Sequence, residues 1–384
     1  MKILMVSMAS LHFFRWTEQL KDSGHEVYWF DILDSGFPSE RISWVHQIVG
    51  WKLRWDFPGR YFLKNKLPFS YKFIQKINER NTAEIFKKKL LEIQPDVVHT
   101  FAMNIAGIPI TPVMFKYENV KWILSSWGSD LFYLTNNSEY RNKVKSILPR
   151  VNYLFTDCNR DYTTARELGF KSSYLGVYPG GGGYNLKECD NYLKPLEARK
   201  IILIKGFQGE LGRCFQVLKA LEMMSFELSN YKLVIFGTDK EVINYVNSNN
   251  GIKFYNITIY EKITHEHVLK LMGEALIYIG NSITDGLPNT LLEAIIMGAF
   301  PIQSNPGNAT AEIIKDGVNG LLINDCDDII EIKSKIERAI NDKDLLINAF
   351  HYNMNLRDQF EFNFLSKSVL KKYKDIENEQ KSTI

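Results

Sequence analysis

The chain has 384 residues, of which 45% are hydrophobic and 24% charged, and its formal net charge is +3. This length predicts two domains, each of roughly 150 residues or more, and the composition is typical of a folded globular enzyme. The four cysteines form no Cys-x-x-Cys pair, which argues against a zinc site or a disulfide framework and fits a reducing cytosol. We expect no signal peptide, and no apolar run reaches the ~18 residues of a transmembrane helix.

Strands alternate with helices along the first half of the chain, which predicts a parallel, doubly wound α/β architecture. The predicted strands are Lys2 to Ser7, Glu26 to Ile32, Asp96 to Thr100, Trp122 to Ser126 and Tyr153 to Asp157. Helices are predicted over Phe13 to Asp22 and Asp161 to Leu168.

Residues 41–90 interrupt this alternation with a basic, aromatic segment that we expect to be helical. Twelve Lys or Arg residues stand there against three acids, and Trp44, Trp51 and Trp55 lie among them. The pattern predicts contact with an anionic membrane surface. The alternative is a solvated basic face whose aromatics pack inward. Nucleic-acid binding is disfavoured, because no nucleic-acid motif accompanies the charge.

Polar residues follow the predicted strands of this half, where ligands bind in folds of this kind. His12 lies in the loop after the first strand, His99 is near the end of the third, and Ser129 and Asp130 follow the fourth. Histidines at strand ends are commonly structural, and a Ser/Asp pair can cap a helix. Ligand-binding and structural roles therefore both stay open for these residues.

A glycine run, Gly180 to Gly183, marks a change in composition, and charged residues 187–199 follow it. We place an interdomain linker over 179–199. Such a run, which contains Gly181 and Gly182, forms either an anion-binding nest or a flexible hinge.

A second α/β series begins at Lys200. Its predicted strands are Ile201 to Lys205, Lys232 to Phe236, Ile252 to Tyr255, Leu276 to Gly280 and Phe300 to Gln303. The first strand leads into a glycine-bearing loop with Lys205 at one end and Arg213 at the other. Glycines let a backbone approach a phosphate closely, and flanking cations can bind that phosphate, so this loop is predicted to bind phosphate. The alternative is that Lys205 is only a helix-start lysine and Arg213 only a surface arginine.

The most informative stretch runs from Ser282 to Pro301. Asp285 and Glu293 stand eight residues apart, separated by a loop that contains Gly286, Leu287, Pro288, Asn289 and Thr290. This spacing predicts a strand, a tight loop and a helix start, where backbone N–H groups bind a diphosphate. Glu293 would then bind ribose hydroxyls about two helical turns further on. An ordinary βα unit with a surface acid and a capped helix is the alternative.

This stretch resembles the nucleotide-sugar signature of retaining glycosyltransferases of family 4, in which two acids separated by seven residues precede a Gly-x-Pro. The chain has Glu293 as the second acid and Gly298-Ala299-Phe300-Pro301 after it. Asp285 stands where the family has Glu, so the side chain is shorter by one methylene.

The resemblance implies the GT-B fold, with two Rossmann-like domains facing a central cleft. Residues 1–178 would bind the acceptor, 200–357 would bind the nucleotide sugar, and 358–384 would form a helix that returns to the first domain. Base recognition would follow the strand that ends at Tyr255, with Tyr255 and Asn256 as candidates. Lys205 and Arg213 would neutralise the diphosphate, and Asp285 would contact the donor hexose.

On the acceptor side, residues 125–130 resemble a His-Gly-Ser-Asp segment of the family. Trp127 stands in place of the histidine, and stacking on a sugar would replace its hydrogen bond. His99 resembles the first residue of a His-x-His segment, and the loop containing His12 is implied to face the acceptor.

The resemblance implies a hexosyl- or N-acetylhexosaminyltransferase that uses a nucleotide-diphosphate sugar, with UDP favoured, and needs no metal or other cofactor. The expected acceptor is a glycan or lipid-linked glycan of surface polysaccharide assembly, at the inner face of the cell membrane. A sugar-nucleotide epimerase of the same fold and a non-catalytic sugar-nucleotide-binding partner remain alternatives. A NAD-dependent dehydrogenase is disfavoured, because no Gly-x-Gly-x-x-Gly follows the first strand.

Overall fold

The computed structural model describes residues 1–224, 227–248 and 256–383. The chain forms two compact units. Unit 1 comprises Met1–Asp157, Asp161–Gly182 and Ser366–Ile384, and unit 2 comprises Cys158–Arg160 and Gly183–Leu365. Within the described ranges, no helix combines the length and the apolar character needed to cross a bilayer.

Unit 1 is built on a parallel sheet with the strand order β3-β2-β1-β4-β5-β6-β7. Its strands are β1 (Lys2–Ser7), β2 (Glu26–Asp31), β3 (His46–Ile48), β4 (Val97–Phe101), β5 (Lys121–Ser125), β6 (Tyr153–Thr156) and β7 (Ser173–Val177). Strands β1, β4 and β6 are almost wholly buried. Such continuous apolar runs are expected where helices cover both faces of a parallel sheet.

The helices of unit 1 connect these strands. They are α1 (Leu11–Glu18), α2 (Arg60–Lys66), α3 (Pro68–Asn78), α4 (Thr82–Ile93), α5 (Ile108–Lys116), α6 (Ser138–Ile147) and α7 (Asn159–Glu167). Side chains cap several of them: Ser10 Oγ accepts from the Phe13 N–H, and Asn81 Oδ1 from the Glu84 N–H. Helix α1 ends earlier than predicted, and the chain continues through turns to Asp22, whose φ is 61°.

The basic segment 41–90 is not wholly helical, which corrects the prediction. Strand β3 lies near its start and extends the sheet at the β2 edge through pairs such as Trp29 with Gln47. Helices α2, α3 and α4 follow.

Unit 2 contains a second parallel sheet, whose order in the described part of the chain is β10-β9-β8-β11-β12-β13. Its strands are β8 (Ile201–Lys205), β9 (Lys232–Phe236), β10 (Ile257–Tyr260), β11 (Ala275–Gly280), β12 (Phe300–Ser304) and β13 (Leu321–Ile323). The predicted strand Ile252 to Tyr255 lies outside the described residues. Two apolar clusters cover the two faces of this sheet, around Ile204 and Leu218 on one face and around Leu203 and Leu292 on the other.

The helices of unit 2 lie before its first strand, between its strands and after the last one. They are α8 (Leu186–Asp190), α9 (Cys214–Glu222), α10 (Lys240–Ser248), α11 (His265–Glu274), α12 (Asn289–Ile296), α13 (Ile329–Asn341) and α14 (Lys343–Leu356). The final helix, α15 (Phe362–Thr383), begins in unit 2 and belongs to unit 1 from Ser366 onward.

A buried tyrosine fastens α15 into unit 1. The Tyr373 hydroxyl lies 2.6 Å from His99 Nδ1 and accepts a 3.3 Å hydrogen bond from Trp16 Nε1. All three side chains are at most 2% exposed. The returning helix is therefore joined to the end of β4 and to α1 by polar contacts as well as apolar packing.

Candidate active site

Two loops at the carboxyl ends of adjacent strands form the centre of the candidate site in unit 2. Strand β8 pairs with β11, so the loop after Lys205 and the loop after Gly280 leave the same edge of the sheet. Ligands bind at this edge in open parallel sheets.

The two loops are hydrogen-bonded to each other. The Arg213 N–H donates to the Asn281 carbonyl at 3.0 Å, and the Ile283 N–H donates to the Leu211 carbonyl at 2.9 Å. Gly212 and Ser282 form an isolated antiparallel bridge between these contacts. The structure therefore brings together the two loops that the sequence marked separately.

Glycine is required in the first loop for close packing. A Cβ at Gly206 would lie 2.6 Å from Thr238 Oγ1, and a Cβ at Gly212 would lie 2.2 Å from the Phe207 carbonyl oxygen. Both distances are shorter than real Cβ contacts, so larger residues would force this backbone to move. The backbone of this turn therefore packs too closely for any side chain at Gly206 or Gly212.

The two cations predicted for this loop lie at its ends. Lys205 Nζ is 5.6 Å from the centroid of the Phe207 ring. Arg213 precedes α9, and its Nε donates to Asp327 Oδ1 at 2.9 Å while Nη1 donates to the Gly212 carbonyl at 2.7 Å. The guanidinium is thus held against an aspartate and its own loop, and its contact with a diphosphate stays a prediction.

The second loop leads from β11 into α12 through the predicted residues Gly286 to Thr290. Pro288 is the N-cap residue, with φ −61° and ψ 128°, and α12 starts at Asn289. Asp285 is half-buried, and its Oδ1 accepts from the N–H of Gly286 at 3.1 Å. The loop residues Gly286, Leu287 and Pro288 are buried, and Leu287 packs in the apolar cluster of this face.

A buried tyrosine lies near both signature acids. Tyr278 donates from its hydroxyl to Thr290 Oγ1 at 2.8 Å. Burial raises the pKa of the Tyr278 phenol, and the charges of Asp285 and Glu293 raise it further. Both acids therefore lie within electrostatic reach of the Tyr278 hydroxyl.

Glu293 is buried within α12 and has a histidine partner that the sequence did not reveal. Its side chain is 5% exposed, and its Oε1 lies 2.8 Å from His265 Nε2. His265 is the first residue of α11, where Thr264 caps the helix by accepting from the His267 N–H. His265 and His267 are both half-buried, and His267 lies against Tyr260 with ring centroids 5.1 Å apart.

Of the two residues predicted to bind the base, only Asn256 lies within the described part of the chain. Tyr255 lies outside the described residues. Asn256 immediately precedes β10, so it lies at the amino end of that strand, whereas the two loops leave the carboxyl ends of β8 and β11. A donor-binding role for Asn256 does not agree with this placement. Tyr260 is the residue at the carboxyl end of β10.

In unit 1, the structure places several of the predicted acceptor-side residues together. The rings of His12 and Trp127 meet edge to face with centroids 6.1 Å apart. A Cβ at Gly180 would lie 3.4 Å from Trp127 Cδ1. Trp127 Nε1 is buried and has no hydrogen-bond partner among the described residues.

The glycine run beside Trp127 is a buried turn in its first part. Gly181 and Gly182 are both buried, and the Gly182 N–H donates to the Pro179 carbonyl at 2.9 Å. Gly182 has φ +69°, and a Cβ there would lie 2.8 Å from the Arg15 carbonyl oxygen. Glycine is therefore needed for both conformation and space.

His99 makes structural contacts in this unit. It is fully buried, with Nδ1 against the Tyr373 hydroxyl and Nε2 2.8 Å from Ser125 Oγ. Burial lowers its pKa to about 3, so the ring is neutral. Both ring nitrogens are engaged within the protein, and His99 presents neither of them to a ligand in this structure.

Asp130 organises the loop that carries Trp127. Its two oxygens accept from the N–H groups of Met103 and Trp127 at 2.8 and 3.0 Å, and Ser126 Oγ lies 2.9 Å away. Burial, with the charge of Asp161, raises the Asp130 pKa to about 6 despite these bonds. Ser129 is half-buried, and its carbonyl accepts from the following turn.

Solved structures share this architecture. Sucrose-phosphate synthase from Thermosynechococcus elongatus superimposes with a TM-score of 0.72 at 17% identity, covering 98% of each chain. Anabaena HepE, solved with UDP and glucose, superimposes with a TM-score of 0.68 at 10% identity, over 98% of this chain and 100% of that one. The fold is that of the GT-B glycosyltransferases.

Family models match both halves of the chain. The model described as glycosyl transferase 4-like matches residues 2–158, and that of glycosyl transferases group 1 matches residues 191–356. The chain belongs to the GT-B glycosyltransferases of the family 4 type, and the protein is a transferase enzyme.

Two curated relatives are also glycosyltransferases. One, from Campylobacter jejuni, is an α-1,4-N-acetyl-D-galactosaminyltransferase acting on GalNAc-α-(1→4)-GalNAc-α-(1→3)-diNAcBac-PP-undecaprenol; it is 25% identical over 64% of this chain and 67% of its own. The other, an uncharacterized glycosyltransferase from Methanocaldococcus jannaschii, is 26% identical over 75% of this chain and 76% of its own.

Proposed function

We propose that this enzyme is a retaining glycosyltransferase that uses a nucleotide-diphosphate sugar bound in unit 2. The observation that carries the proposal is the hydrogen-bonded pair of loops after β8 and β11. Lys205 and Arg213 lie at the ends of the first loop, and the second loop leads into the start of α12, where backbone N–H groups favour an anion. Glu293 lies inside the same helix and would accept from ribose hydroxyls.

In the proposed reaction, the bond from the sugar C1 to the diphosphate oxygen breaks, and a bond from C1 to the acceptor oxygen forms on the same face. The acceptor hydroxyl proton passes to the departing diphosphate oxygen. Lys205 and Arg213 stabilise the charge on that leaving group, so we propose that the reaction needs no metal. Asp285 would contact the hexose hydroxyls and orient the sugar.

We assign UDP as the favoured nucleotide and a lipid-linked glycan as the acceptor. The Anabaena relative of the same fold was solved with UDP and glucose, and the Campylobacter relative acts on a glycan linked to PP-undecaprenol. We propose that residues of unit 1, including Trp127 and His12, bind the acceptor. A role in surface polysaccharide assembly at the inner face of the cell membrane follows from such an acceptor.

An acceptor-dependence assay tests this proposal. The enzyme is incubated with UDP-hexoses and UDP-N-acetylhexosamines in EDTA, with and without an undecaprenyl-diphosphate-linked glycan, and UDP release is measured. We expect release that requires the acceptor, and a product whose NMR coupling constants show the donor's anomeric configuration. An epimerised UDP-sugar formed without an acceptor would favour the epimerase alternative, and neither UDP release nor a changed donor would favour a non-catalytic binding protein.

A further inference from the structure

Helix α3 carries apolar side chains on the face that points away from the protein. Phe69, Phe73 and Ile77 recur every four residues, so they lie along one face of the helix. They are 87%, 68% and 57% exposed. An amphipathic helix on a protein surface normally shows the opposite arrangement, with its apolar stripe toward the core.

The opposite face of α3 is the one that docks on the protein. Asn78 lies on that face and is 2% exposed. Its Oδ1 accepts from the N–H groups of Arg54 and Trp55 at 3.1 and 3.0 Å, and its Nδ2 donates to the Trp55 carbonyl at 2.8 Å. These bonds fix the orientation of the helix, and the outward direction of the phenylalanines follows from it.

The preceding helix extends the same kind of surface. Phe62 in α2 is 64% exposed, and Leu67, between α2 and α3, is 52% exposed. We call these five exposed apolar residues the α2–α3 patch: Phe62, Leu67, Phe69, Phe73 and Ile77. Single exposed apolar side chains need no explanation, but several on two consecutive helices indicate an interaction surface.

Cations border the α2–α3 patch. Lys72 and Lys76 are exposed and lie beside the stripe on α3, and Lys64 and Lys66 are exposed on α2. Between residues 54 and 80 the chain has seven Lys or Arg against two acids. Long basic side chains beside an apolar stripe suit the boundary of a bilayer, where the stem stays in the apolar layer and the charge reaches lipid phosphates.

The tryptophans predicted to contact a membrane in this region do not all face outward. Trp51 is 5% exposed, stacks on Phe30 with centroids 4.8 Å apart, and donates to the Asp31 carbonyl. The inward-packing alternative therefore holds for this tryptophan. Trp55 is 48% exposed, and the phenylalanines of the patch are exposed as well.

We propose that the α2–α3 patch is a membrane-insertion surface for an anionic lipid bilayer, in which Phe69 and Phe73 enter the acyl boundary and Lys72 and Lys76 bind lipid phosphates. The patch combines exposed aromatics with a local excess of positive charge, which complements anionic lipid. This inference rests on the proposed membrane location of the enzyme and identifies the helices that produce it.

Vesicle co-sedimentation of the full chain tests the inference. We expect the wild-type protein to bind vesicles containing phosphatidylglycerol and to bind phosphatidylcholine vesicles much more weakly. The F69E/F73E double variant should lose about tenfold or more of the affinity, because it removes the two aromatic side chains that enter the bilayer in this proposal. The K72E/K76E variant should lose the preference for anionic lipid. F364E is the matched control, because Phe364 is 61% exposed on α15, and it should bind like the wild type.

Two outcomes would overturn the inference. One is wild-type affinity for anionic vesicles in F69E/F73E. The other is an absence of vesicle binding with a concentration-dependent dimer that F69E/F73E abolishes, which would identify a protein partner. A thermal shift by UDP, recorded on the same samples, separates the two proposals. A UDP shift without vesicle binding refutes only the membrane surface, and vesicle binding without any nucleotide shift refutes only the donor assignment.

Discussion

His265 and Glu293 form a half-buried pair between the start of α11 and the middle of α12, with Nε2 and Oε1 2.8 Å apart. The Glu293 side chain is 5% exposed and that of His265 is 29% exposed. A carboxylate so far from water is oriented by the donor that reaches it. His265 is therefore a positioning residue for the acid that we assign to the ribose.

Removal of this partner tests the role of the pair. His265→Ala leaves Glu293 without its donor and should weaken UDP binding roughly 5- to 30-fold, which corresponds to about 1–2 kcal/mol. His265→Gln can still donate and should recover part of the affinity. Isothermal titration calorimetry checks both variants, with His351→Ala, an exposed histidine of α14, as the control. Wild-type affinity in His265→Ala would refute the positioning role.

Substitutions of the two signature acids should change different kinetic parameters. Glu293→Ala removes a group assigned to ground-state nucleotide binding, so KM for the donor should rise with a smaller change in kcat. Asp285→Ala removes a contact assigned to the reacting sugar, so kcat should fall roughly 100-fold or more. Steady-state kinetics with saturating acceptor measure both. A fall in kcat alone for Glu293→Ala would reverse the two assignments.

Asp130 should give the unfolding free energy an unusual dependence on pH. The folded pKa is raised to about 6 from 3.8, so the folded protein binds this proton more tightly than the unfolded chain. The stabilisation is complete below about pH 4 and is lost as pH rises to about 6, by about 3 kcal/mol.

The Asp130→Asn variant isolates that contribution. Asparagine cannot titrate, so the difference in unfolding free energy between wild type and variant should fall by this amount between pH 4 and pH 6.5. Urea unfolding at several pH values gives the difference directly. The absolute stability of the variant is not the test, because the Asn amide cannot accept from the Met103 N–H as Asp Oδ2 does. A constant difference across this range would contradict the raised pKa.

Tyr373→Phe tests how α15 is held in unit 1. The substitution keeps the ring but leaves Trp16 Nε1 and His99 Nδ1 without the hydroxyl that they contact. Two buried polar groups without partners should cost about 1–3 kcal/mol of unfolding free energy. Tyr352→Phe is the matched control, because Tyr352 is a half-buried tyrosine on α14. Equal stability of the two variants would show that apolar packing alone holds the helix.

The central strands and the two loops of the site were predictable because their signals are local. Strands β1, β8 and β9 have the predicted bounds, because each contains an apolar run with a polar residue at one or both ends. Four of the described strands lie where no strand was predicted, namely β3, β7, β10 and β13, and each lies at an edge of its sheet in the described part of the chain. Edge strands are short and bury less surface, so their hydrophobic pattern is weak.

Local sequence patterns could not predict the long-range contacts described above. His265 is 28 residues from Glu293, and His99 is 274 residues from Tyr373. Each pair meets only because tertiary packing brings two distant elements side by side. The residues around a histidine at a helix start do not indicate which acid it will contact. Those around a histidine at a strand end do not indicate that it will be buried.

A thermal-shift titration tests the donor site most directly. Wild type and Glu293→Ala are each heated with UDP, GDP, TDP, CMP or NAD, in the presence and absence of EDTA. We predict that one nucleoside diphosphate, UDP in the first place, raises the wild-type midpoint equally with and without EDTA, and that Glu293→Ala reduces the shift. A shift with NAD alone, no shift with any diphosphate, or an unchanged shift in Glu293→Ala would contradict the account.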